Sequence, residues 1–226
     1  SKSTEEIKSF GRGFAVIIDP LDGTSNFSSG SPEYSVLVAI TKDAVPVHGI
    51  VVVPAYGISI SGGILQGQTA VRHHADGRVG TIDDLKKFTD IDEGALKAPA
   101  VAVPARFWNS EDPKVHQHIR DVCGDFMQAR GELDVLPAKT IFSAALPFIF
   151  PQIKNRLYSS ATASGGAGDW DLAAWDALIR PLGGALTNLA GKPLPYLTGH
   201  KHGNYAYHQD ANSVPDYAAA VQSRHT

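Results

Sequence analysis

Over the first third of the chain, short apolar runs rich in β-branched residues alternate with turn residues. Phe14-Ala15-Val16-Ile17-Ile18, Tyr34–Ile40, Val45–Val53, Tyr56–Ile60 and Gln68–Arg72 each have the length and composition of a buried strand. Asp43 falls in the turn between the second and third runs, which predicts an antiparallel pair and, with its neighbours, a meandering sheet. The polar stretch His73–Pro99 reads as surface loops with one short helix about Ile82–Lys87, followed by a short strand at Val101–Val103. Asp112–Cys123 reads as a helix: Asp112 can cap it, Pro113 suits its first turn, and Val115, Ile119 and Val122 share a face. Lys139–Phe150 reads as another, bracketed by Pro137 and Pro151 and kinked or ended by Pro147. In Asp169–Ile179, Leu172, Trp175 and Ile179 recur at i, i+3 and i+7, which predicts an amphipathic helix with an acidic first turn, ended by Gly183-Gly184. Ala185–Leu189 and Tyr205–Tyr207 read as strands, and Pro215–Gln222 as a closing helix. Sheet first and helices later predict an α/β fold, α+β layered, in one unit with a sheet lobe over about 1–105 and a second lobe over about 106–226.

Composition narrows the class. The chain has 226 residues, 43% hydrophobic and 19% charged, enough for a sizeable core. Its formal net charge is -3 with no basic stripe, which argues against a nucleic-acid polymer as partner. Cys123 is the single cysteine, so no intrachain disulfide can form, which fits a reducing cytoplasm. No apolar run approaches the roughly 18 residues of a membrane span. A cytoplasmic protein is therefore expected, in which a small anionic substrate would have to be captured by metal ions rather than by a positive surface.

The candidate chemistry lies at the end of the first apolar run. Asp19 and Asp22 follow it, three positions apart, and Gly23-Thr24-Ser25 comes next. Pro20 lacks an N–H and is expected to end the strand; Gly23 permits a sharp turn that brings Asp22 back toward Asp19. Carboxylates hold hard divalent cations, and the N–H groups of a helix start hold phosphate. The plain alternative is that Asp-Pro-Leu-Asp-Gly is simply a turn. Asp171, at the start of the later helix, is the third acid. Asp169 can cap that helix and so free Asp171 for a cation. Glu5-Glu6, near the chain start, reads from composition as a solvated pair. His73-His74, His200, His202 and His208 read as exposed loop histidines, and Trp108, Trp170 and Trp175 as core or interface anchors.

Asp19-Pro20-Leu21-Asp22-Gly23-Thr24-Ser25-Asn26-Phe27 resembles the signature of the inositol monophosphatase family, Mg²⁺-dependent, lithium-sensitive phosphatases that share a fold with fructose-1,6-bisphosphatases and bisphosphate nucleotidases. Trp170-Asp171-Leu172-Ala173-Ala174, followed by Gly183-Gly184, is similar to the family's second signature, and Thr4-Glu5-Glu6 to its Glu-Glu element. The resemblance implies an αβαβα sandwich, a homodimer, and two or three Mg²⁺ ions per site. It implies that Asp19 bridges two ions, that Asp22 and Asp171 complete one site, and that the Leu21 carbonyl and Glu5, with Glu6 as the alternative, serve another. Glu5 and the Thr24 hydroxyl would orient the attacking water, and the amides of Gly23, Thr24 and Ser25 would hold the phosphate. The resemblance also implies about two helices ahead of the Glu-Glu element; with the sequence shown starting at Ser1, either that sequence is incomplete or a partner covers the face they would pack on.

The function implied is a Mg²⁺-dependent phosphomonoesterase acting on a small polyol, sugar or nucleotide phosphate. Ser164 stands where inositol phosphatases often carry a substrate-binding Glu, while Asp169 and Lys192-Pro193-Leu194-Pro195-Tyr196 look more like the bisphosphate nucleotidase branch. Trp175 and Pro181 depart from the second signature and motivate a rival reading, a catalytically weak relative that binds a phosphorylated ligand or a protein.

Overall fold

A computed structural model describes residues 12–32, 34–81, 84, 102–104, 113, 117, 121, 138–141, 167–188, 190–198, 201–202, 205–208, 211–215, 218 and 219. Its main feature is a six-stranded antiparallel meander in which each strand pairs with the next: β1 (Phe14–Asp22), β2 (Ser35–Lys42), β3 (Val45–Val53), β4 (Ile58–Gly63), β5 (Gln68–His73) and β6 (Val79–Thr81). A five-residue helix, α1 (Thr24–Ser28), joins β1 to β2. The β2–β3 hairpin turns at Asp43 and Ala44, both with positive φ, the conformation that matches a tight turn to the twist of the strands.

Alternation sets which side of β1 faces inward. Ile17 and Asp19 are buried, whereas Phe14, Val16 and Ile18 on the opposite face are each more than half exposed. Pro20 does not end this strand. β1 lies at the edge of the sheet, where a missing N–H costs no ladder bond, and it continues to Asp22. β6 forms within a stretch expected to be loop.

The buried face of the sheet is covered by helix α2 (Asp169–Ile179), which lies across β1 to β4. Beyond it stands a two-stranded antiparallel sheet of β9 (Ala185–Asn188) and β10 (Tyr205–His208). One apolar cluster runs through all three layers: Leu37, Val51 and Ile60 from the large sheet, Leu172, Trp175 and Leu178 from α2, and Leu186 and Tyr205 from the small sheet. Sandwiched this way, α2 is buried on every side from Leu172 to Ile179, not on one stripe as its i, i+3, i+7 pattern predicts. Its one acid in that span, Asp176, is held by a bidentate Arg180 at 2.8 and 2.7 Å. The carboxylate raises the Arg180 pKa, and burial, followed by the nearby Asp176 charge, pushes the Tyr196 phenol up. A short 3-10 turn and Gly183, in the left-handed region, end the helix as expected.

A further two-stranded parallel pair joins β7 (Ala102–Pro104) to β8 (Ala138–Ile141). Lys139, Thr140 and Ile141 are thus strand, where the prolines had been read as bracketing a helix; the rest of that segment lies outside the described residues. Pro113, Gln117 and Asp121 are helical, as expected, as are Val214, Pro215, Ala218 and Ala219. Of the short helix expected about Ile82–Lys87 Asp84 alone is described, in a 3-10 turn, and Trp108 and Cys123 fall outside the described residues. Among the described residues, no helix is long and apolar enough to cross a membrane.

Candidate metal centre

Asp19 and Asp22 are three apart, so a regular strand would turn them to opposite faces. The strand pairing shows how they come to share one. Asp19 pairs with Leu37 and Asp22 with Ser35, so β1 spends three steps where β2 spends two. That extra residue is a bulge, which returns Asp22 to the buried side. The Asp19 carboxylate accepts the Leu21 N–H at 2.9 Å, closing a local loop over Pro20, and the Ser35 hydroxyl donates to Asp22 at 3.3 Å. Gly23 is not the residue that swings Asp22 back. It stands at φ 79 as the entry to α1, a conformation that Cβ-bearing residues rarely adopt.

Asp171 arrives from α2. One carboxylate oxygen from each of Asp19, Asp22 and Asp171 lies within 4.8 Å of the other two, and this is the one such acidic group among the described residues. Two of the three acids are buried. Asp169 does not cap α2. Asp171 does, accepting the Gly168 N–H at 2.6 Å, which fixes the carboxylate that faces the strand acids. Asp169 instead accepts from His202 Nε2 at 2.7 Å and from the Leu197 N–H at 2.8 Å. His202 and His208, expected in exposed loops, are both buried. Trp175 is fully buried, as expected of a core anchor, while Trp170 beside Asp171 is nearly half exposed.

The remaining candidates divide. The Leu21 carbonyl accepts the Thr24 hydroxyl at 3.1 Å, which ties the bulge to the start of α1. Thr24 and Ser25 are exposed in the first turn of that helix, ahead of the first internal bond, from the Phe27 N–H to the Gly23 carbonyl at 2.9 Å. Glu5 and Glu6 lie outside the described residues. Ser35 escaped the sequence reading because its role depends on a strand register. The Asp169–His202 pair, 33 residues apart, escaped for the same kind of reason.

The donor set fits a hard cation. It is all oxygen and all carboxylate, and its span is close to the roughly 4.2 Å between opposite ligands of one Mg²⁺. Three like charges this close repel one another by about 3–4 kcal/mol per pair at an effective dielectric of about 20, which favours a bound counter-cation. Carboxylates on a bulged strand end and a helix start thus form an all-oxygen acidic cluster beside the exposed first turn of a short helix, in a layered α/β sandwich.

The chain belongs to the inositol monophosphatase family, whose sequence profile matches residues 3–125. It is 31% identical over 186 residues to the 3'(2'),5'-bisphosphate nucleotidase CysQ of Aggregatibacter actinomycetemcomitans, covering 80% of this chain and 58% of that one. It is 26% identical over 185 residues to a histidinol-phosphatase of Mycobacterium tuberculosis, covering 80% and 61%. The chain thus spans about three fifths of the length of these curated relatives. The solved structure of inositol monophosphatase-II from Staphylococcus aureus MSSA476 matches its fold with a TM-score of 0.64 at 15% identity, over 96% of this chain and 70% of the other.

Proposed function

We propose that the protein is a Mg²⁺-dependent phosphomonoesterase, and that Asp19, Asp22 and Asp171 hold the cations. The observation that carries this reading is the convergence of those three acids from two distant parts of the chain. When bound, Mg²⁺ supplies Lewis-acid stabilisation of charge on the phosphoryl oxygens and lowers the pKa of a coordinated water. Two or three ions per site are proposed, which Asp19, Asp22, Asp171 and the Leu21 carbonyl would hold.

The chain's own groups have distinct tasks in this reading. The amides of Gly23, Thr24 and Ser25 bind the substrate phosphate, which suits the exposed first turn of α1, ahead of its first internal hydrogen bond. The Thr24 hydroxyl, held near the Leu21 carbonyl, orients the attacking water together with Glu5. Ser35 keeps the Asp22 carboxylate turned toward its two partners. In-line attack of water needs no phosphorylated side chain. A homodimer in the cytoplasm is the setting this family reading carries with it.

For the substrate, similarity to the CysQ nucleotidase favours a nucleotide bisphosphate over inositol phosphate. Phosphate release by the full chain, with Mg²⁺ and with EDTA, from adenosine 3',5'-bisphosphate, inositol 1-phosphate, fructose 1,6-bisphosphate and histidinol phosphate tests both levels. The expected result is Mg²⁺-dependent release, fastest from the bisphosphate nucleotide. Tight binding of these compounds without turnover would replace the enzyme reading with that of a phospho-ligand binder.

A further inference from the structure

Asp169 and Asp171 stand two positions apart at the start of α2 and face different neighbours. Asp171 joins Asp19 and Asp22. Asp169 is bound by the segment that follows β9. One of its oxygens takes His202 Nε2 at 2.7 Å, and the other takes the Leu197 N–H at 2.8 Å. The His202 N–H adds a backbone bond to the Ala167 carbonyl at 2.8 Å, just ahead of the helix. His202 is itself buried and meets the Tyr196 ring edge-on at 5.3 Å. The residues flanking Asp171 are therefore fixed from outside the helix by three hydrogen bonds.

Leu197 shows that this contact is specified. Its φ is 56, a left-handed conformation that is uncommon for a bulky side chain and persists where the surroundings impose it. Here the imposing group is the Asp169 carboxylate, which takes the amide that this conformation turns toward it. A segment with no acid in the cation cluster is thereby locked to the helix turn that carries Asp171.

We infer that Asp169 and His202 form a positioning clamp that sets Asp171 against Asp19 and Asp22. The inference rests on the cation reading of that cluster. Releasing the clamp leaves all three ligands in place but lets the helix start drift, so cation affinity falls while the fold persists. Second-layer partners of metal ligands commonly carry tenfold effects or more on affinity.

The test is titration calorimetry of Mg²⁺ into the metal-free full chain, with thermal melting in EDTA read in parallel. Wild type and Asp171→Asn come first, and loss of binding in Asp171→Asn establishes the cluster as the site. His202→Leu, which removes the donor to Asp169 and leaves the three cluster acids unchanged, is expected to weaken Mg²⁺ about tenfold. His202→Gln, which keeps a donor, is expected to restore most of that loss. If His202→Leu does not fold, His202→Asn, polar but too short to reach Asp169, gives the same reading: the same weakening of about tenfold is expected, and wild-type affinity in it overturns the clamp. A folded His202→Leu that binds Mg²⁺ as wild type does, or a His202→Gln that fails to rescue, overturns the clamp. Wild type that binds no Mg²⁺, or Asp171→Asn that binds as well as wild type, overturns the cation reading beneath it.

Discussion

Gly49 on β3 lies directly against the backbone of Ala174 in α2: a Cβ at Gly49 would stand 2.2 Å from the Ala174 carbonyl oxygen and 3.1 Å from Leu178 Cγ. This contact sets how closely the helix seats on the sheet, and so how far Asp171 reaches toward Asp19 and Asp22. The Thr69 hydroxyl, 3.2 Å from the Leu178 carbonyl, fastens the far end of the same helix to β5. Gly49→Ala should therefore destabilise the fold by about 1–3 kcal/mol, as overpacking does in well-packed cores. Urea unfolding in EDTA checks the loss. Mg²⁺ affinity should fall in the same variant, because the carboxylate moves with the helix.

The β2–β3 turn offers a change in the other direction. Ala44 sits at φ 62, where a Cβ is unfavourable by roughly 1–2 kcal/mol. Ala44→Gly should raise the unfolding free energy by a few tenths to about 1 kcal/mol, after glycine's greater freedom in the unfolded chain is discounted. Its neighbour Asp43, also at positive φ, should be kept, since its carboxylate accepts the Gly13 N–H at 2.8 Å and pins the start of β1.

His208 makes stability depend on pH. It is buried in β10 with Nε2 3.3 Å from the Thr187 hydroxyl, and burial lowers its pKa from 6.5 to about 4. The folded protein keeps this imidazole neutral while the unfolded chain protonates near 6.5. Stability from this residue is thus intact above about pH 6.5 and is lost as pH falls toward 4, by about 3 kcal/mol at most. Unfolding curves of wild type and His208→Gln from pH 7 to pH 4 should converge as the pH falls. Parallel curves would exclude this role.

The acid cluster is expected to trade stability for cation binding. Asp22→Asn removes one of three mutually repelling charges, so in EDTA the variant should melt above wild type by the equivalent of about 1–2 kcal/mol. Mg²⁺ at a hundred times its Kd should stabilise wild type by about 2.7 kcal/mol and the variant much less. Thermal melts with and without Mg²⁺ read both effects.

How much of this was visible in the residues follows from the range of each interaction. The β2–β3 hairpin was legible because alternation and turn chemistry are local, and β3 runs over Val45–Val53 as read. The acidic set Asp19, Asp22 and Asp171 was legible because its signatures are short and specific. The bulge was not, since it exists only in the pairing of Asp19 with Leu37 and Asp22 with Ser35. Pro20 misled for a related reason: whether proline ends a strand depends on whether that strand is an edge, which its own neighbours do not reveal. Asp171 joins the acid cluster as read, but the capping role was given to Asp169 instead of Asp171 because either acid can cap the helix. The choice falls to His202, 33 residues from Asp169, which claims Asp169 for itself.

The most direct test of the account is phosphate release by the full chain at saturating Mg²⁺, compared with the same assay in EDTA and with Asp19→Asn. With Asp19 proposed as a cation ligand, the account predicts turnover that disappears in EDTA, returns on adding Mg²⁺, and falls by about a hundred- to a thousandfold in Asp19→Asn, as loss of a charge-stabilising group does. Hydrolysis that persists in EDTA, or an Asp19→Asn variant that turns over at the wild-type rate, would contradict it.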